Sequence, residues 1–70
     1  MSAHVVEVVV TGRLGPSLIA ALDGYDVTTR DDGTSSVTGM VEDQASLRGL
    51  LGVFDDLNIE VVSVNRVTPA

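Results

Sequence analysis

A chain of 70 residues with ten acidic side chains, four arginines and no lysine carries a formal charge of -6. Nucleic-acid binding draws its affinity largely from cationic contacts that release counterions, so this balance argues against nucleic acid and against anionic membrane surfaces as partners. A domain of this size buries only about 60% of its unfolded surface, and with no cysteine and one histidine neither disulfides nor a metal set is at hand to support it, which leaves oligomerisation.

In chain order, His4 to Thr11 is a valine-rich, β-branched run that reads as a strand. Val6, Val8 and Val10 share one face. Val5, Glu7, Val9 and Thr11 share the other, apolar enough to predict a central strand with both sides at least partly covered. Gly12 to Gly15 break the pattern, and Pro16 suits a first helical position because its missing N–H would have been unpaired there. A short helix to about Leu22 then places Leu18, Ile19 and Leu22 on one face, and Asp23-Gly24 ends it.

Residues 25–30 alternate as a strand, Asp31-Asp32-Gly33 forms a turn, and residues 34–41 alternate again, so the region predicts a hairpin. Val37 and Val41 fall on one face of its second strand, Thr38 and Met40 on the other. Gly39 weakens that strand or marks a bulge. Residues 43–57 form the one long helix, with Leu47, Leu50, Leu51, Phe54 and Leu57 as its apolar stripe and Asp43 as its cap. Asn58 turns the chain into a last valine-rich strand over residues 59–67, and Thr68-Pro69-Ala70 fray. No linker divides the chain, so residues 1–70 read as a single domain whose halves each contain a strand and a helix.

The order strand, helix, strand, strand, helix, strand resembles the ferredoxin-like split βαβ fold, an α+β sandwich with a four-stranded antiparallel sheet and both helices on one face. Right-handed crossovers then put the first and third strands at the centre. Within that fold, the turn Thr11-Gly12-Arg13-Leu14-Gly15-Pro16-Ser17-Leu18 resembles the glycine-containing turn of ACT-type regulatory domains, although their acidic residue and Arg-Pro-Gly order are not reproduced. The resemblance implies a small-molecule sensor with a small anionic or amino-acid-like ligand at Gly12, Arg13, Gly15 and Ser17. The ferredoxin-like metal-carrying domains need a paired-cysteine loop, which this turn lacks.

No catalytic residues, metal ligands or cofactor motif are expected. His4 is the single histidine and reads as a strand-edge residue. Ser17, Ser35, Ser36 and Ser46 have no nucleophile-elbow context. The pairs Asp31-Asp32, Glu42-Asp43 and Asp55-Asp56 lack the alternating oxygens of a calcium loop and fit turns, caps and solubility. The two aromatic residues, Tyr25 and Phe54, make no base-stacking platform.

Two surfaces call for a partner. One is the helix side carrying Ala45, Gly49, Gly52 and Asp56, since a mid-helix glycine costs about 0.5 to 1 kcal/mol relative to alanine. The other is the open sheet face, where Val5, Val9, Thr38 and Met40 gather around Glu7 and Arg30, the latter two able to pair across a two-fold axis. The expectation is a non-catalytic, homo-oligomeric binding or regulatory module. The start MSAHVVEVVV lacks a basic n-region, its apolar run is far below the roughly 20 residues of a membrane span, and the chain has no cysteine, so a soluble cytoplasmic protein is expected. The alternative is a small enzyme of the dimeric α+β barrel type, with His4, Tyr25 and Glu7 as acid–base groups around a pocket on the sheet face.

Overall fold

The computed structural model describes residues 4–67, so the expected fraying of 68–70 lies outside the described residues. The elements are β1 (His4–Thr11), α1 (Pro16–Ala21), β2 (Tyr25–Thr29), β3 (Thr34–Val41), α2 (Gln44–Asp56) and β4 (Val61–Val67). The strands form one antiparallel sheet in the order β2-β3-β1-β4, with β1 and β3 at its centre. Valines on both sides of β1 follow from this position. Val8 and Val10, under the helices, have no exposed surface, and Val9 on the opposite face keeps only 6%.

Val8, Val10 and Val37 share a face and pack with Leu14, Leu22, Leu50 and Phe54 in a single cluster, so both helices cover the same side of the sheet. The long helix starts where its cap predicts. The Asp43 carboxylate accepts from the Ser46 amide at 2.8 Å, and that bond holds its pKa below the ordinary aspartate value.

At the other end the stripe is shorter than the periodicity predicts. Leu57 is the C-cap and is 53% exposed, because Asn58 takes the left-handed conformation at φ 57° and turns the chain away. The Asn58 amide donates to the Asp55 carbonyl at 3.0 Å and the Ile59 amide to the Phe54 carbonyl at 2.8 Å. That pair of bonds is a Schellman closure, and the apolar contact that accompanies it comes from Ile59 packing on the core that contains Phe54. Ile59 therefore serves the helix end, and the last strand begins at Val61 rather than at 59.

Three further expectations are corrected. Ile19 is 42% exposed, since a six-residue α1 presents a narrow buried side that Leu18 and Leu22 fill. β2 ends at Thr29, and Arg30 lies beyond it, its amide donating to the Thr34 carbonyl at 2.8 Å. Gly39 marks no bulge: it keeps regular register with Val6 and Tyr25, and a β-carbon there would run into the Tyr25 ring. The glycine is a seat for the aromatic ring on the neighbouring strand. The register shift lies instead between β1 and β4, at Val9/Val10, where Val62 is the extra residue.

Candidate functional site

On the sheet face away from the helices, Glu7 is the centre of a polar network. Its Oε2 accepts from Arg30 Nη2 at 3.1 Å and from Ser36 Oγ at 2.8 Å, linking β1, β3 and the end of β2. Arg30 and Glu7 thus pair within one chain, with 41% and 30% of their side chains exposed. The pairing expected across a two-fold axis is already made internally.

The register does bring the other open-face residues together, setting Val5 beside Met40, Glu7 beside Thr38 and Val9 beside Ser36. Their character differs from a broad apolar patch. Ser36, Thr38, Ser63 and Asn65 surround Glu7, and Val9 is largely covered. Apolar surface concentrates in one row across three strands, Met40, Val5 and Val67, with Met40 64% and Val67 42% exposed. That row ends on β4, an edge strand whose Val62 and Val64 are 56% and 39% exposed.

The β1–α1 turn meets the β2–β3 turn at one end of the sheet. The Gly12 amide donates to the Gly33 carbonyl at 2.7 Å, and the Gly12 carbonyl accepts from the buried Ser35 hydroxyl at 2.7 Å. Both glycines have φ near +85°, at 85° and 86°, a conformation L side chains rarely adopt. Beside this tie lies a concavity of about 430 Å³ lined by Gly12, Arg13, Thr29, Arg30, Asp31 and Gly33. Of the ligand residues expected from sequence, Gly12 and Arg13 line it and Gly15 and Ser17 do not. Gly15 acts as the cap of α1, its carbonyl accepting from the Ile19 amide at 3.0 Å. Arg30 joins through hairpin geometry, which spacing along the chain does not signal.

A second concavity, about 660 Å³, lies between the start of α2 and β4, with Val6, Leu47 and Val64 as apolar lining and His4, Glu42 and Arg66 among its polar residues. His4, Tyr25 and Glu7 are not brought together: Tyr25 packs on the core side, Glu7 faces the open side and His4 lines this second concavity. On α2, a β-carbon at Gly49 or Gly52 would meet nothing within 4 Å, so none of the described residues packs against the glycine side.

Among the described residues, no group of three or more acidic or histidine side chains could hold a metal ion, and no helix is long and apolar enough to cross a membrane. A family model described as a domain of unknown function (DUF8691) matches residues 5–65. Neither a curated protein nor a solved structure matches the chain at a significant level.

Proposed function

We propose that this chain, which belongs to the DUF8691 family, is a non-catalytic binding or regulatory module of ferredoxin-like fold that assembles with a second copy of itself. The strand order β2-β3-β1-β4 supports the ferredoxin-like reading, since it keeps the first and third strands central as right-handed crossovers require. An ACT-like sensor role draws its support from the turn that carries Gly12 and Arg13. A reducing cytoplasm suits a chain without cysteine.

The observation that carries self-association is the difference between the two sheet edges. β2 is five residues long, contains Asp26 and is flanked by Asp23, Asp31 and Asp32, and charges on and around a short edge oppose pairing with another chain. β4 has seven residues with Arg66 as its single charge, set off-centre, and beyond the shift at Val62 it leaves Val64 and Val67 open to solvent. An edge of that kind is a template for another strand.

A second copy satisfies it. Antiparallel pairing of β4 with β4 about a two-fold axis at Val64 sets Val64 against its copy and Val61 against Val67, with Ser63 facing Asn65 and Val62 facing Arg66, and each contact away from the axis occurs twice. Val67, where the exposed row reaches β4, lies on the same edge, so its apolar area is covered in the same event, at about 25 cal/mol for each square ångström removed from water. Native mass in solution tests the proposal. A dimer at micromolar concentration is expected, and a mass equal to the monomer throughout that range overturns it.

A further inference from the structure

Two of the chain's four arginines, Arg13 from the β1–α1 turn and Arg30 from the β2–β3 turn, line the same concavity, although the chain as a whole is strongly acidic. We propose that this concavity binds a small phosphorylated molecule through its phosphate group, with Arg13 and Arg30 as the recognising side chains. The inference extends the binding role proposed above and is independent of self-association.

The chemistry of the lining selects the ligand class. A guanidinium offers five N–H donors in a planar fork that matches the oxygens of a phosphate. Arg30 uses one donor group toward Glu7, which also accepts from Ser36, and its remaining donors, unpartnered among the described residues, are free for a ligand. Asp31 also lines the concavity and Glu7 is already paired with Arg30, so two carboxylates offset the two guanidiniums and recognition rests on donor geometry rather than on net charge. A phosphate monoester carries about -1.5 to -2 charges near neutral pH and three acceptor oxygens, enough to take donors from both guanidiniums at once, where a monocarboxylate offers two oxygens.

Exposure and field set the limit. All six lining residues are exposed, so the concavity is open and takes the phosphate end of a small molecule, whereas a nucleic acid would meet a molecule bearing ten acidic residues. The tie between Gly12 and Gly33 fixes the two turns relative to one another, so the arginines need no loop closure to act together.

Amide chemical shifts of the full-length protein, followed as inorganic phosphate, glycerol phosphate or acetate is added at constant ionic strength, test the assignment. Saturable shifts at Gly12, Arg13, Arg30 and Gly33 are expected with both phosphates and not with acetate. Tighter binding of glycerol phosphate identifies the monoester as the ligand, and tighter binding of inorganic phosphate restricts the proposal to the free ion and overturns its organic part. Arg13→Gln weakens binding about tenfold, as loss of one charge-assisted hydrogen bond does, and Asp31→Asn strengthens it. Equal shifts with acetate, or unchanged binding in Arg13→Gln with native spectra elsewhere, overturn the proposal. Native mass measured on the same samples shows separately whether self-association holds.

Discussion

At the scale of single residues, the Tyr25 ring sits over Gly39, where a side chain would otherwise stand. Because a β-carbon at position 39 would overlap that ring, Gly39→Ala forces the ring or the strand to move and is expected to cost about 1 to 3 kcal/mol, read from chemical unfolding. The cost should shrink when Tyr25 is replaced by alanine as well, and equal costs with and without the ring would show that the two residues do not oppose one another. The cap at Asp43 has a pH signature. Its folded pKa is lowered by the bond from Ser46, so its contribution is present above the unfolded value and is lost as pH falls through the folded value. Asp43→Ala should lower the melting temperature at neutral pH and narrow its difference from wild type in acid; a difference constant down to the acid limit would remove the charged cap from the account. Asp32, whose carboxyl is lowered by the Thr34 hydroxyl and amide, contributes in the same direction, so Asp43→Ala still leaves some acid sensitivity.

Among the elements, the long helix separates buried from exposed leucines on one stripe. Leu50 is 5% exposed and Leu57 is 53% exposed. Leu50→Ala is expected to cost about 2 to 5 kcal/mol through lost burial and the cavity left behind, whereas Leu57→Ala stays within about 0.5 kcal/mol. Similar losses for both would mean that the helix end is packed by something outside the chain. The stripe, β1 and β3 were legible in the sequence because each has a strong period and a hard stop: Thr11 is followed by a glycine turn, and Asp43 is an unmistakable cap. The Leu57 and Ile59 roles were not, since a Schellman closure at Asn58 is a three-dimensional event written in one residue with weak sequence preference. The concavity between the two turns was half legible. Arg13 belongs to a conspicuous glycine turn, but Arg30 reaches it only because antiparallel pairing of β1 with β3 and β2 with β3 lays the two turns side by side.

For the whole molecule, the decisive quantity is how much apolar surface a stapleless domain leaves uncovered. Val64→Lys puts a charge on the proposed two-fold axis, where like charges face one another, and is expected to yield monomers with an unchanged helix and sheet spectrum. Val9→Arg is the poorer choice, because Val9 is 6% exposed and its replacement disturbs the protomer itself. Met40→Arg, at a side chain that is 64% exposed on β3, two strands from the β4 edge, is expected to leave the dimer in place. An unchanged dimer in Val64→Lys would move the contact away from β4, and loss of the dimer in Met40→Arg would move it onto the open sheet face.

The aspartates around β2 have a consequence for growth as well as for pairing. When two β4 edges join, the sheet they form ends on both sides in a β2 strand bearing Asp26, with Asp23, Asp31 and Asp32 close in sequence. Each free end then resembles every other, short and negatively charged, and two such ends repel. Addition is therefore expected to stop after one step, making the proposed dimer a terminus rather than the first unit of a fibre. Concentration should drive monomer into dimer and no further, while Asp26→Val, which removes one of these guards and adds apolar surface, should let larger species appear in light scattering. A wild-type sample that lengthens steadily with concentration would show that the acidic edge does not terminate growth.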